Sequence, residues 1–352
     1  MSDGARDSGL GTRVGVSTTA QREMRNLSPN PDSRISIPES KLPDVSVLVP
    51  AKDEAENLPL FMELAAAAFA ASPHSYEVVV IDDGSGDRTW HVLQELAERY
   101  PFLQLARHRA RRGIADALRT GYLASRGRVL VFYPADLQFK PEDIPRLVNP
   151  ILADEADMVT GFKEGKYEKA FVSGIYNGLS RLLFDIPVKD LNSVKAYRRE
   201  IMDGLPVRPD WHRYMIVIAA AQGFTVTEIP VPVYPRHAGK SKFGLSRIPV
   251  GALDMLAVAF ELKFGQKPLL LFGMVGFGIF AVAAVAAIVL LATNQGVRAF
   301  WTVIETCLIL GAVLFATGLL GEQIAGQRSE MRELRRQLDE MRQDLTRGSA
   351  NE

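Results

Sequence analysis

The chain has 352 residues, 47% of them hydrophobic, which is enough for a sizeable core and for something beyond one small domain. Lys plus Arg and Asp plus Glu number 41 each, so the net charge offers no general attraction for nucleic acid. A single cysteine, Cys307, excludes an intrachain disulfide framework and a cysteine-based zinc site.

Residues 1–42 are rich in Ser, Arg, Asp and Pro and carry no apolar signal core; they are expected to be a disordered leader. Order is expected from Val45. Residues 45–49 (VSVLV) read as a first strand ended by Pro50, and an Ala- and Leu-rich helix follows over 57–70. Residues 76–81 (YEVVVI) read as a second strand that runs into Asp82, Asp83, a glycine-rich turn and a helix start near Thr89. A short third strand is expected over 102–107 and a helix over 113–124. Residues 129–138 (VLVFYPADLQ) form a run of β-formers that ends in Pro134, with Asp136 just beyond it. A fifth strand is expected over 157–162. Strands alternating with helices of this length indicate a largely parallel sheet with helices on both faces.

Residues 169–184 read as a further helix, followed by a loop with Asp190, Asn192 and Ser193. Residues 225–233 read as a strand that Pro230 and Pro232 confine to an edge. The loop over 236–244 (RHAGKSKFG) is basic. Beyond it the composition changes. Residues 245–267 form an amphipathic segment, either a helix in the membrane interface or a core helix of the preceding domain. Residues 268–293 contain no charge, and 299–325 are interrupted by Glu305 and, near the far end, Glu322; each run exceeds the roughly 20 residues that cross a bilayer. Lys263 and Lys267 precede the first run, and Arg328, Arg332, Arg335 and Arg336 follow the second. The excess of positive charge therefore assigns both flanks to the cytoplasm. In the charged tail, 326–352, Met331, Leu334, Leu338, Met341 and Leu345 recur at alternating spacings of three and four. That seam suits either a homo-oligomeric coiled coil or one amphipathic helix on a surface.

Four polar clusters fall at expected strand ends, at 50–54, 82–85, 134–138 and 160–163. In an open α/β sheet, ligands bind outside the carboxyl ends of the strands. No cluster is a GxGxxG turn or a Walker loop, so neither a dinucleotide nor an ATP site is indicated. A carboxylate beside an amide oxygen, as in Asp136 and Gln138, suits a hard divalent cation that bridges phosphates; Asp136 as a cap for the helix announced by Pro141 is the alternative. Arg236, Lys240 and Lys242 suit a pyrophosphate or, equally, an anionic lipid surface.

These motifs in order resemble the membrane-anchored polyisoprenyl-phosphate glycosyltransferases, the dolichol-phosphate mannosyltransferase-like branch of glycosyltransferase family 2, with a GT-A fold. VSVLVPAKDEAENL is similar to that family's first strand and P-x-x-N-E turn, VVVIDDGSGDRT to its D-D-x-S-x-D-x-T, and GIADALRTGY to its G-K-x-x-A-L-x-x-G helix. PADLQFKPEDIP resembles D-A-D-L-Q-x-x-P, DLNSVKAYRRE the loop D-x-x-S-G-F-R-x-x-R-R, and RHAGKSKFGLSRI the segment R-x-x-G-x-S-K-x-G. The match runs from Val45 to about Ala325. The resemblance implies a GT-A catalytic domain over 43–244, followed by the two-helix transmembrane hairpin and the short coiled-coil-like tail.

It also implies inverting transfer of a sugar from a nucleotide-sugar, GDP-mannose or a UDP-hexose, to a polyprenyl or dolichyl phosphate at the cytoplasmic face, with Mg2+ or Mn2+. By motif, Pro50, Lys52, Glu54, Ile81, Asp83, Pro134 and Ala135 fall to the nucleotide, and Asp136 and Gln138 to the metal. Asp136, Arg236, Lys242 and Lys163 are then the catalytic set. Asp190, Asn192, Ser193, Arg198, His212 and Arg213 face the acceptor. One departure stands out. Pro134 replaces the first Asp of D-x-D, which predicts weaker or altered metal coordination and leaves a non-catalytic scaffold of the same fold as the alternative. A family-2 transferase acting on a glycan hydroxyl is disfavoured, because its usual Q-x-x-R-W segment is absent.

Overall fold

The computed structural model describes residues 42–164, 178, 180, 183–184, 190–191, 193–203, 211–238, 247–293 and 298–348. Residues 1–41 of the expected leader, most of the helix expected over 169–184, Asn192, Lys240, Lys242 and the connection at 294–297 lie outside them.

Seven strands form one sheet: β1 (Val45–Ala51), β2 (Tyr76–Asp82), β3 (Leu103–Arg107), β4 (Val129–Phe132), β5 (Met158–Glu164), β6 (Lys195–Arg198) and β7 (Val226–Pro232). Their order is β3-β2-β1-β4-β6-β5-β7. All pairs are parallel except those of β6, which lies antiparallel between β4 and β5. The helices are α1 (Leu58–Ala70), α2 (Thr89–Arg99), α3 (Ile114–Ala124), α4 (Ile144–Leu152), α5 (Glu200–Asp203), α6 (Met215–Ala221), α7 (Arg247–Phe264), α8 (Pro268–Thr293) and α9 (Arg298–Gly348). β7 takes an edge beside β5, where the missing N–H groups of Pro230 and Pro232 cost no ladder bond on the open side. β6 corrects the expectation of a loop over 190–198. Lys-Ala-Tyr-Arg has little strand character alone, and pairing on both sides makes it one.

Strand alternation divides the interior in two. Val45, Val47, Val49, Val78, Val80, Val129 and Val131 face one way and pack on Phe61 and Met62 of α1, Leu93 of α2 and Leu147 of α4. Leu48, Val79, Ile81, Leu130, Met158 and Tyr197 face the other way and pack on Leu118 of α3, α6, and Met255 and Val258 of α7. Gly121 lets α3 approach the sheet closely: a Cβ there would stand 2.8 Å from Ile81 Cδ1. With both faces covered, β1, β2 and β4 are mostly apolar; the exceptions near their amino ends, Ser46 and Glu77, are buried and joined by a hydrogen bond from Ser46 Oγ to Glu77 Oε1 at 2.7 Å.

Helices α8 and α9 are long and apolar enough to cross a membrane, over Pro268–Ala292 and Phe300–Met331. They pack through small residues. A Cβ on Gly276 would come within 2.9 Å of the Gly311 carbonyl, and one on Gly318 within 3.1 Å of Leu269 and Phe272. The second apolar run and the charged tail form one continuous helix, α9. Its Arg328 pairs with Glu261 of α7 at 2.9 Å, and Phe260 of α7 meets Phe272 of α8. Helix α7 thus touches the hairpin at its foot and the second core along its buried face, while Val250, Leu253 and Leu256 stay exposed.

Candidate active site

The polar clusters meet at the carboxyl ends of β1, β2 and β4. Register decides this: Ala51 pairs with Asp82, so β1 and β2 end level, while β4 leaves the sheet at Phe132 opposite Leu48, which opens room for the turn after it. The turn after β1 is stitched to the turn after β2. Lys52 Nζ reaches Asp53 Oδ2 at 3.1 Å and the Gly84 carbonyl at 3.0 Å. Asp53, at φ +53°, donates its N–H to Ser85 Oγ and accepts from Gly86 N at 2.8 Å; Glu54 N donates to Thr89 Oγ1. Gly84, at φ +66°, has no room for a side chain, since a Cβ would lie 2.7 Å from the backbone of Ala110.

Asp83 is buried behind this turn. It takes hydrogen bonds from the N–H groups of Arg112 and Gly113 at 2.7 and 2.8 Å and pairs with His108 Nδ1 at 2.8 Å; His108 Nε2 lies 2.9 Å from Thr120 Oγ1. Burial alone would raise the Asp83 carboxyl, but His108 and the two N–H groups hold it below the usual range. Asp83 therefore anchors the 108–113 loop. Ile81 and Ala135 are core residues with buried side chains, so any nucleotide contact they make comes from the main chain. Pro50 and Pro134 are half-buried at the same strand ends.

After β4 the chain turns sharply. Tyr133 Oη donates to the Lys140 carbonyl, Leu137 adopts φ +58°, and Gln138 N donates to Asp136 Oδ1. The loop after β7 closes over this turn. Tyr234 N donates to the Gln138 carbonyl at 2.9 Å, and Lys140 Nζ lies 4.5 Å over the Tyr234 ring. The loop delivers Arg236, whose Nη2 stands 2.9 Å from Asp136 Oδ2 and 3.3 Å from Gln138 Oε1. Asp136 is 9% exposed. Burial raises its carboxyl above the usual range, more than Arg236 and the Gln138 N–H pull it back. The capping alternative is not realised: no side chain caps the 310 turn Pro141–Asp143 or α4.

A second cationic cluster adjoins the first across Phe132. Lys163 pairs with Asp190 at 3.1 Å. Lys195, 1% exposed, donates to the carbonyls of Leu191 and Ser193 at 2.9 Å each. His212 packs edge-on against Phe132. Burial, then the charges of Lys195 and Arg213, drive His212 down to about 3, so it is neutral. Burial brings Lys195 from 10.5 to about 7; the charge of Asp190 opposes the shift, and those of Lys163 and Arg213 add to it. The hydroxyls of Thr160 and Ser193 and His212 Nδ1 are buried here without a hydrogen-bond partner.

The structure thus brings together Lys52, Glu54 and Asp83 on one side, Asp136, Gln138 and Arg236 in the centre, and Lys163, Asp190, Ser193, His212 and Arg213 on the other. Arg198 is a correction. It binds Asp154 and Asp157 and pairs with Val129 at the opposite end of β4, because antiparallel β6 carries residues after Lys195 away from the site. Lys195 and His108 are the residues that sequence reading missed. Lys195 stands two positions before the core residue Tyr197, a period-two hint of an inward side chain; His108 is hidden in an Arg-rich run.

Among the described residues no three His, Cys, Asp or Glu side chains gather as a metal site. The donor set is the Asp136 carboxylate and the Gln138 amide oxygen. Gln138 Oε1 accepts from the guanidinium nitrogen that Asp136 Oδ2 faces as an ion pair, so the two oxygens converge on a single cation, an arrangement that fits a divalent ion.

A mostly parallel sheet with these turns at its carboxyl edge is the GT-A-like architecture of nucleotide-sugar enzymes. Residues 46–183 match the family model "Glycosyl transferase family 2". It is 28% identical to the dodecaprenyl-phosphate galacturonate synthase of Rhizobium johnstonii, over 80% of this chain and 88% of that one. It is 29% identical to an undecaprenyl-phosphate 4-deoxy-4-formamido-L-arabinose transferase of Pseudomonas fluorescens, over 82% of this chain and 87% of that one. Among solved structures, glucosyl-3-phosphoglycerate synthase of Mycobacterium tuberculosis superposes with a TM-score of 0.50 at 18% identity, over 64% of this chain and 83% of that one, a likeness of fold.

Proposed function

We propose that this protein transfers a sugar from a nucleotide-sugar to a polyprenyl phosphate, with inversion at the anomeric carbon, at the cytoplasmic face of a membrane. The observation that carries the reading is the Asp136–Arg236–Gln138 centre beside the cationic Lys163–Asp190–Arg213 cluster, in a chain whose α7 joins that domain to an apolar hairpin. The curated relatives named above are polyprenyl-phosphate sugar transferases, which supports the acceptor class.

The chemistry suits the residues present. A phosphate monoester, with a second pKa near 6, is largely dianionic at neutral pH and attacks without a general base. The new bond joins a phosphate oxygen to the sugar C1, the bond from C1 to the diphosphate oxygen breaks, and the nucleoside diphosphate leaves with the electron pair. The protein aligns the two partners and stabilises the charge on the departing diphosphate. Arg236 and Lys163 supply fixed positive charge, and Lys52, Glu54 and Asp83 line the nucleotide end. Asp136 and Gln138 would hold Mg2+ or Mn2+, which neutralises diphosphate charge when bound. Ser193, His212 and Arg213 sit on the acceptor side.

The test is incubation of the purified protein with a panel of labelled nucleotide-sugars, short polyprenyl phosphates and either ion. Labelled lipid-phosphate sugar is the expected product; no transfer from any donor would remove the reading.

Orientation follows the charge. Lys263 and Lys267 before α8 and the arginines after the second span support a cytoplasmic catalytic domain and tail. In a Cys307→Ser background, single cysteines placed at Asn294 and Gly296 are expected to react with a membrane-impermeant maleimide only from the non-cytoplasmic side. Labelling from the cytoplasmic side alone would invert the topology. The tail seam of Met331, Leu334, Leu338 and Met341 is exposed along α9, and we assign it to contact with a second copy.

A further inference from the structure

We infer that Arg236 is the resident counter-ion of the metal site, and that it must release Asp136 and Gln138 before a divalent cation can enter, so that metal and nucleotide load together. The inference rests on the proposed use of Asp136 and Gln138 as metal ligands.

Three observations carry it. First, the overlap is direct: Nη2 of Arg236 lies 2.9 Å from Asp136 Oδ2 and 3.3 Å from Gln138 Oε1, the same two oxygens that make up the donor set. A Mg2+ ion binds oxygen at about 2.1 Å and fills the space between its ligands, so guanidinium and metal exclude one another there. Second, Asp136 is nearly buried, and a buried carboxylate without a counter-charge is costly. Pro134 stands at the first acidic position of the motif, so that position supplies no second carboxylate to raise the affinity for a bare cation. Arg236 therefore competes well for what remains.

Third, Arg236 arrives on a segment that can move without dismantling the sheet. It lies four residues beyond β7, and its described ties to the 134–140 turn are the Tyr234 N–H bond, the Tyr234–Lys140 stacking and the Asp136 and Gln138 contacts themselves. A diphosphate gives the guanidinium an alternative partner, often bidentate. Once Arg236 turns to the diphosphate, Asp136 and Gln138 become available to the ion. Each of the two ligands then favours the other, and the coupling is reciprocal.

Mn2+ binding measured by electron paramagnetic resonance, without nucleotide and without turnover, tests this. Arg236→Met removes the competing cation and adds no ligand. It is expected to tighten Mn2+ binding by about fivefold, in keeping with the loss of one partly exposed ion pair, and to shrink the further gain produced by a nucleoside diphosphate. Arg236→Lys keeps a cation and is expected to keep the weak parental binding; Asp136→Asn is expected to abolish Mn2+ binding in both backgrounds. Unchanged or weaker Mn2+ affinity in Arg236→Met overturns the inference, as does Mn2+ binding that survives Asp136→Asn. Sugar transfer by the parent is a separate readout. Transfer with no tightening in Arg236→Met defeats this inference alone, and tightening without transfer to any lipid phosphate defeats the proposed function alone.

Discussion

Asp136→Asn is expected to lower the rate of sugar transfer by about a hundredfold or more, the scale typical for losing one principal stabiliser of transition-state charge. The exchange is isosteric and leaves the turn after β4 in place. It removes the carboxylate that meets Arg236 and Gln138 at this centre. The variant should melt cooperatively, as the parent does. The same carboxylate sets an acid limit. Burial raises it above the usual range, so activity that needs the ionised form falls off at a higher pH than an ordinary aspartate would give. The sign for stability runs the other way: the folded chain holds this proton more tightly than the unfolded chain, so its ionisation is a penalty that eases as the pH falls. Near-parental turnover in Asp136→Asn, with donor and acceptor saturating, would remove Asp136 from the reaction.

Lys195→Met is expected to separate stability from function. Lys195 is fully buried and brought from 10.5 to about 7. Between those values the unfolded chain holds a proton that the folded chain lacks, so the parent gains stability as pH rises above 7, by roughly 1 kcal/mol per pH unit. Below 7 the whole penalty of burying the ammonium is present. Lys195→Met should lose that slope, and melting curves at pH 6 and pH 9 measure it.

We assign the positive charge a use that would offset the penalty. Lys195 holds the carbonyls of Leu191 and Ser193 and lies among Lys163, Asp190 and Arg213, where an anionic acceptor would draw its proton back. We place it as a positioning residue. The acceptor KM of the parent should rise as pH increases through about 7. In Lys195→Met it should be raised about tenfold and be flat with pH, with kcat affected less. Lys195→Arg, which does not titrate in this range, should restore a low KM and remain flat. A KM that keeps the parental pH profile in Lys195→Met would leave Lys195 a structural residue only.

Much of the catalytic domain is legible from local pattern. Val45–Ala51 and Tyr76–Asp82 are recognisable because a strand buried on both faces is rich in Val, Leu and Ile along most of its length, and a carboxylate or proline marks its end. The hairpin is equally plain from the charge-free run in α8. β6 was not legible, because Lys195–Arg198 has the composition of a loop and owes its conformation to two neighbouring strands. That omission also misplaced Arg198, whose distance from the site is a consequence of strand direction.

What the sequence by itself determined is the set of parts: apolar runs of strand and helix period, turns rich in Gly, Pro and Asp at their ends, and an ordered series of motifs that brings Asp136, Gln138 and Arg236 under suspicion as a group. These follow from short-range rules, since periodicity and turn chemistry act within a few residues. Only the tertiary structure decided that Arg236, 98 positions after Gln138, lies against both Gln138 and Asp136, and that Lys195 is buried beside the Leu191 and Ser193 carbonyls. Burial and charge pairing depend on which strands adjoin. The insertion of β6 between β4 and β5, and the return of the chain over the β4 turn after β7, are properties of the assembled sheet.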